Sequence, residues 1–347
     1  MIELYVLLDY RSSFYSSTRY PGASFQIDIL TRIFNDNGIT LIPKHFRDID
    51  LAKEDYGGKW IIYQSSEDPD LLYKEYIGDI LLALTLQGAL LIPRFECFRA
   101  HHNKVFLELL RNVHSLDEIK NLNSKCFGTY EDYRASDSQF TDKSFVLKSE
   151  STSKSKGVYL LQTTSEKRKL PEKISRSFSF QNLSYLFKKI WTKKPYIPIS
   201  NHRKKFIIQP YIKDIPGDYR VIIYDKKYYV LYRENRPNDF RASGSGRFYF
   251  DIALPDGLLE YASRIFESFS VPFIALDIGT KNGQFFLFEF QFLSFGQYTV
   301  EKSRHYFLKT NTGWEKVLAT SVVEEVFAYA VSSFIKTKQQ VNLSGVI

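Results

Sequence analysis

The sequence predicts a mixed fold, in which a small α/β domain is followed by a larger α+β body. Three observations carry this reading. Over the first hundred residues, short apolar strand-like runs alternate with helical patterns, as in a small parallel-sheet domain. From about residue 140 to 295 the texture changes to longer strands, mostly antiparallel, with interposed helices. Residues 273–296, FIALDIGTKNGQFFLFEFQFLSFG, then read as a β-hairpin turning at Lys281-Asn282-Gly283.

Taken in order, residues 2–8 alternate weakly and read as a first strand. Residues 23–37 carry apolar positions at helical spacing and stop at Asn37-Gly38, a good helix terminator. ITLIP (39–43) and KWIIYQSS (59–66) are the next strands, a helix covers about 69–87, and ALLIP (89–93) is a fourth strand. HHNKVFLELLRN (101–112) reads as a short amphipathic helix. Residues 144–151 form a strand running into a Ser/Lys/Gly loop, and 157–162 form the returning strand. Residues 163–204 are polar, basic and helical in pattern, with Pro195 and Pro198 as breakers. FIIQPYI (206–212) is again a strand, and 218–235 form a hairpin turning at Asp225-Lys226-Lys227. A helix over 256–269 precedes the 273–296 hairpin, and an amphipathic helix is predicted over 314–337. The predicted domains are 1–100, 101–212 and 213–347.

Composition narrows the function classes. A chain of 347 residues with 44% hydrophobic and 25% charged residues, 29 Phe and 24 Tyr among them, builds a sizeable globular core. No apolar run approaches the roughly 18 residues that span a bilayer. The N-terminus lacks a basic region and contains Glu3 and Asp9, so it reads as a strand and not as a signal peptide. Only Cys97 and Cys126 are present, which excludes a disulfide framework, and a cytoplasmic location is the simplest expectation. The net charge of +8 has local concentrations at 166–173, 188–194 and 203–205. It is consistent with a solvated basic surface or with steering of an anionic substrate. A nucleic-acid binder has only this basic stretch in its favour, with no zinc finger, RRM-like signature or basic-region helix beside it.

The chemistry-bearing residues cluster in the second half of the chain. Asp277 lies on the first strand of the 273–296 hairpin, and Glu289 and Gln291 leave one face of the second. Charged groups in so apolar a run need a partner, and oxygen donors of this kind suit Mg²⁺, which usually accompanies phosphate. Lys148 ends a strand just before STSKSKG (151–157), an arrangement suited to phosphate. Gln209, Tyr211 and Ile212 end another strand and could offer backbone groups to an adenine edge. Asp218 and Arg220 share a strand face, Arg233 ends the partner strand, and Arg241 opens the Ser/Gly segment that contains Ser245. Such arginines suit phosphate or carboxylate recognition, although each could instead serve cross-strand pairing.

The order of these pieces resembles the ATP-grasp superfamily, nearest its glutathione synthetase and ribosomal-protein glutamate ligase-like branch, over roughly residues 100–300. The resemblance implies an ATP-grasp fold preceded by an α/β domain. It implies that Lys104 and Lys148 contact ATP phosphates, with Ser151, Ser153 and Lys156 in a flap above them. Gln209, Tyr211 and Ile212 would meet adenine, and Asp218 would hold ribose or order the site. Arg220 and Arg233 would lie near the transferred phosphoryl group, and Arg241 with the segment through Ser245 near the acceptor carboxylate. Asp277, Glu289 and Gln291 would be the Mg²⁺ ligands, with two ions expected. Gln291 departs from the Asn usual in the family, the flap is poorer in Gly and richer in Lys than usual, and the resemblance does not place the basic insertion at 163–204.

The implied reaction is ATP-dependent joining of a carboxylate to an amine through an acylphosphate. A small-molecule, peptide or sugar acid is the expected substrate class. Strand-end polar groups in the first domain, Arg11, Ser12, Ser65, Ser66 and Arg99, are the substrate candidates, each equally open to a capping or surface role. Two other readings remain open within the same fold: a small-molecule kinase, and a nucleotide-binding protein with weak or no catalysis. The oligomeric state is open too, a homodimer among the options.

Overall fold

A computed structural model describes residues 2–14, 24–68, 70–140, 143–150, 157–177, 180–192 and 199–344. They form, in order, β1 (Ile2–Leu8), α1 (Ile27–Asp36), β2 (Ile39–His45), β3 (Trp60–Ile62), α2 (Leu72–Leu86), β4 (Leu90–Ile92), α3 (Phe95–Ala100), α4 (Lys104–Val113), β5 (Lys125–Phe127) and α5 (Tyr130–Arg134). There follow β6 (Phe145–Ser149), β7 (Val158–Leu161), α6 (Thr164–Ser175), α7 (Phe180–Thr192), β8 (Phe206–Pro210), β9 (Gly217–Tyr224), β10 (Lys227–Glu234) and β11 (Phe248–Tyr249). The chain continues with α8 (Leu258–Phe269), β12 (Phe273–Lys281), β13 (Gln284–Gln291), α9 (Tyr298–Lys302), β14 (Tyr306–Thr310), β15 (Gly313–Val317) and α10 (Val323–Ser344). It divides into two compact units: 1–101 together with 216–347, and 102–215.

The first unit holds two sheets. One is parallel, in the order β2-β1-β3-β4. Its central strands are buried on both faces, as a parallel sheet requires. Leu4, Val6 and Leu8 of β1 join one cluster with α1, α10 and residues of β9 and β12. Leu7 faces the other way, into a cluster with Ile61, Tyr63, α2 and Phe98. The second sheet runs β13-β12-β9-β10-β14-β15, with β11 on β10, and its pairs are antiparallel. Phe327 of α10 packs against Phe273 on one face of this sheet, and Phe269 of α8 packs against Phe290 on the other. Since α10 also packs against α1, the one long helix fills the space between the two sheets.

The second unit is a four-stranded antiparallel sheet, β5-β8-β6-β7. One face buries Phe145, Leu147, Phe206 and Ile208 with Phe127, Tyr133 and Phe140. A buried ion pair ties α4 down: Arg111 donates to Glu108 at 2.9 Å and to the Ile119 carbonyl at 2.7 Å. Helix α6 starts with a full capping box, Thr163 accepting from the Glu166 amide while the Glu166 carboxylate accepts from the Thr163 amide.

Several sequence expectations need correction. The helix predicted over 314–337 is in fact β15 followed by α10; Gly313 makes the turn from β14, and the helix starts at Val323. The helix expected at 101–112 begins at Lys104, because Asn103 caps it by accepting from the Phe106 amide at 3.1 Å. Helices α3, α5 and α9 and strands β5, β11 and β14 escaped the sequence reading, all of six residues or fewer.

Candidate active site

Strand pairing assembles the site in the first unit. In register, Asp277 of β12 faces Glu289 of β13 on one side and Arg220 of β9 on the other. Asp218 of β9 faces Arg233 of β10. Because side chains alternate along a strand, Asp218, Arg220, Arg233, Asp277, Glu289 and Gln291 all leave one face of four adjacent strands. A bulge after Asp277 shifts the register of the β12–β13 hairpin toward its turn, so the Asp277–Glu289 pairing belongs to the segment beyond the bulge. The same face carries Ile222, Phe273 and Ala275 in the apolar core further along, so the polar cluster is where this core ends.

The six side chains form one network. Asp277 accepts from Arg220 Nη1 at 2.9 Å and pairs with Arg233 Nη2 at 2.7 Å, one oxygen to each guanidinium. Arg233 also forks onto Asp218, Nε to Oδ1 at 2.7 Å and Nη2 to Oδ2 at 2.8 Å. Arg220 donates through Nη2 to Gln291 Oε1 at 3.0 Å and to the Phe295 carbonyl. Asp218, Arg233 and Asp277 are buried. Burial penalises the charge on Asp277, but the two guanidiniums outweigh it and hold this carboxyl below its ordinary value. Burial, with the charge of Asp277 added, pushes Asp218 up despite Arg233. Arg233 is held firmly protonated by its two aspartates against the burial cost.

Glu289 stands apart. It is half-buried, and among the described residues its side chain meets only Gln291 Nε2, at a long 3.4 Å. Two arginines neutralise two aspartates, so Glu289 is the surplus charge of the cluster. The donor set fits a hard cation. Glu289 offers a carboxylate without a cationic partner, Asp277 and Gln291 offer oxygens whose second lone pairs remain beside their arginine contacts, and the net charge is negative.

The remaining predicted residues are placed as follows. Arg241 lies outside this network: both its Nε and Nη2 engage Asp239, which it holds below the ordinary carboxylate value. Ser245 accepts from the Arg247 amide at 3.2 Å. Arg11 pairs with Asp9, Nη2 to Oδ2 at 2.7 Å, and Asp9 also accepts from the Arg11 and Ser13 amides. Ser12 meets His45 Nε2 at 2.9 Å, Ser65 meets His101 Nδ1 at 2.8 Å, and Ser66 accepts from the Asp68 amide. Gln64 Nε2 donates to the Ser13 carbonyl, so the loops after β1 and β3 meet at the carboxyl edge of the parallel sheet. Arg99 is exposed on α3.

In the second unit, Lys148 sits on β6 opposite Ile207. The Lys104 amide donates to the Glu150 carbonyl at 3.2 Å, which brings the start of α4 to the end of the Lys148 strand. Gln209 is buried and spends its amide on Ser124 at 3.0 Å, a tie between β8 and the start of β5. The Tyr211 amide donates to the Ser144 carbonyl, and Tyr211 and Ile212 are half-buried. Ser151, Ser153 and Lys156 lie outside the described residues. Sequence reasoning missed the Phe295 carbonyl. Ser294 and Gly296 on either side have φ of 50° and 73°, and a Ser-Phe-Gly turn after a strand was its only available signal.

No family profile and no curated protein sequence matches this chain. Solved structures do. D-cycloserine synthetase DcsG superposes with a TM-score of 0.52 at 12% identity, over 95% of this chain and 99% of that one. The chain has the ATP-grasp fold. The ATP-grasp ligase PsnB, complexed with a minimal precursor, Mg and ADP, matches with a TM-score of 0.51 at 10% identity, over 96% and 98% of the two chains. The macrocyclase MdnC from Microcystis aeruginosa MRC, bound with its precursor peptide MdnA, matches with a TM-score of 0.50 at 10% identity, over 94% and 98%. At these identities the likeness concerns the ATP-grasp fold alone, and the chemistry must be argued from this chain's own side chains.

Proposed function

We propose that this protein is a Mg²⁺-dependent ligase that uses ATP to join a carboxylate to an amine. One observation carries the reading: a buried arginine–aspartate network on one sheet face, with an unneutralised Glu289 beside it. The structural neighbours, one named a synthetase, one a ligase and one a macrocyclase, point the same way.

On this reading residues 1–100 are the preceding domain, and 101–212 and 213–347 supply the two ATP-binding parts. Glu289, Asp277 and Gln291 hold Mg²⁺, two ions in all, which would neutralise phosphate charge. Lys104 and Lys148 grip ATP phosphates, and Ser151, Ser153 and Lys156 are assigned to the same phosphates by their place in the sequence alone. Gln209, with its side chain tied to Ser124, serves adenine only through its backbone, beside Tyr211 and Ile212. Asp218 acts on the site through Arg233 rather than on a ribose.

The substrate carboxylate attacks the γ-phosphorus, the bond to the β-phosphate oxygen breaks, and ADP leaves with its electron pair. The amine then attacks the acyl carbon of the acylphosphate, inorganic phosphate departs, and the nitrogen loses a proton. Little covalent chemistry falls to the protein; fixed donors aimed at developing charge do the catalysis. Arg233 spends Nε and Nη2 on the aspartates and keeps Nη1 for a phosphoryl oxygen. Arg220 is fixed between Asp277, Gln291 and the Phe295 carbonyl, and its positive charge lies beside the same oxygens. Arg241 acts on the acceptor carboxylate once it exchanges Asp239 for that group, with Ser245 close in sequence. Arg11, Ser12, Ser65, Ser66 and Arg99 line the acid's binding region, which suits a small-molecule or peptide acid in a cytoplasmic setting.

A phosphate-release screen of acids against amines with MgATP, followed by mass spectrometry of any product, tests the proposal. An amide product with stoichiometric ADP and phosphate is expected. Normal ATP consumption by Glu289→Ala with the true substrates would refute the site, and a phosphorylated product without free phosphate would refute the ligase reading.

A further inference from the structure

Helix α7 carries an apolar face that the protein leaves in solvent. Phe187, Ile190 and Trp191 are 67%, 77% and 90% exposed. Their i, i+3, i+4 spacing places them side by side on one face of the helix. Soluble proteins seldom leave a Trp, an Ile and a Phe together in water without a use for them.

The charge around them is as unusual. Residues 163–205 contain twelve Lys and Arg against two Glu, a surplus of ten, whereas the whole chain carries only +8. All of the protein's net positive charge therefore resides in the segment that holds α7, and the remainder is slightly acidic. Lys188 is exposed next to Phe187, and Lys189, Lys193 and Lys194 follow in sequence. A helix that combines an exposed Trp/Ile/Phe face with flanking lysines has the composition of an element lying in the plane of a lipid interface.

We propose that α7 docks this protein onto an anionic phospholipid surface. The apolar face enters the headgroup boundary, Lys188 meets the lipid phosphates, and the surplus positive charge of the segment adds a general attraction to the anionic surface. Charge selects this occupant. A second copy of the chain would bring two segments of surplus ten against each other, which is repulsive. A nucleic acid would account for the lysines but would leave the aliphatic Ile190 in water. The docking is peripheral, in keeping with the lack, among the described residues, of any helix long and apolar enough to cross a membrane.

The full chain should be sedimented with phosphatidylcholine vesicles, with and without phosphatidylglycerol, at low and raised salt. Binding only to the anionic vesicles, weakened by salt, is expected. Trp191 emission should shift to the blue, and Trp191→Phe separates it from Trp60 and Trp314. Lys188→Ala should lower partitioning roughly fivefold. The double variant Ile190→Ser with Trp191→Ser should abolish binding while keeping the wild-type melting curve, since neither side chain is buried. No binding to anionic vesicles, equal binding to zwitterionic ones, or unchanged binding by the double variant would overturn the proposal. So would saturable RNA binding that Lys188→Ala weakens while the double variant leaves vesicle binding intact.

Discussion

Glu289→Gln separates the cation-binding role proposed for this sheet face from any structural role of the same residue. The substitution keeps the size of the side chain and removes one charge. Glu289 is half-buried with only the 3.4 Å Gln291 contact, so the folded state loses little. The cost to stability should stay within about 0.5 kcal/mol, the range of ordinary surface changes. The cost to a bound dication is another matter. A unit charge about 4 Å from a dication, at an effective dielectric near 20, contributes roughly 8 kcal/mol before dehydration is counted. If only a third of that survives dehydration, the loss is still roughly a hundredfold in metal affinity. Two measurements on the same protein decide the matter: the melting temperature without metal, and the Mg²⁺ dependence of the stabilisation by ADP. An unchanged metal-free melt with a Mg²⁺ midpoint raised about a hundredfold is expected. A wild-type Mg²⁺ midpoint would refute the reasoning, and so would a metal-free loss of several kcal/mol, since Glu289 would then be structural.

Other predictions follow from particular contacts. Arg111→Ala strands Glu108 in the core of the second unit and should cost about 3–5 kcal/mol in urea unfolding, whereas the paired change Arg111→Met with Glu108→Leu should recover most of it. Gly217→Ala places a methyl 2.3 Å from the Arg233 carbonyl and 2.7 Å from the Tyr232 hydroxyl, so it should both destabilise the β9–β10 pair and lower nucleotide affinity, read by melting and by ADP titration. Burial pushes the Cys97 thiol up to about 12 and the Cys126 thiol up to about 11, so both should resist a thiol reagent at pH 8 until the chain unfolds, as stopped reactions resolved by mass spectrometry would show. For Cys97 the folded value lies above the unfolded one near 8.5. Its contribution to stability is therefore complete below about pH 8.5 and lost as pH rises toward 12.

The legible parts of this chain are those set by local pattern. The 273–291 hairpin could be read because Asn282-Gly283 fixes its turn and period two fixes its faces, and Asp277 does face Glu289. The α/β alternation of the first hundred residues could be read because runs such as ITLIP and ALLIP are too short and too apolar for anything but buried parallel strands. What could not be read depends on pairing across distance. Nothing near Arg220 announces that residues 217–224 lie between 227–234 and 273–281. Without that order, Asp218, Arg220, Arg233 and Asp277 are four separate charges with four separate roles. The misread helix at 314–337 is a local failure: WEKVLATSV suits an amphipathic helix until Gly313 is seen to close a hairpin with β14.

The strand order also distinguishes two aspartates that look alike in sequence. Asp277 gives one oxygen to each of two arginines, whereas Asp218 shares its single arginine with Asp277. A proton entering the cluster therefore goes to Asp218, whose carboxyl burial already pushes up, while Asp277 keeps its charge. For Asp218 the folded value lies above the unfolded one, so its ionisation weakens the fold as pH rises through that folded value. For Asp277 the sign is opposite, and its contribution is lost as pH falls below about 4 through its depressed folded value. Asp218→Asn imitates the protonated form and can still accept from Arg233, so it should cost about 1–2 kcal/mol. Asp277→Asn leaves two guanidiniums facing one another across a neutral amide and should cost about 3–5 kcal/mol. Chemical denaturation of the two variants, at neutral pH and without metal, compares them directly. An equal or reversed order would mean that Arg233 belongs to Asp218 alone, and the four-residue network would then reduce to two independent pairs.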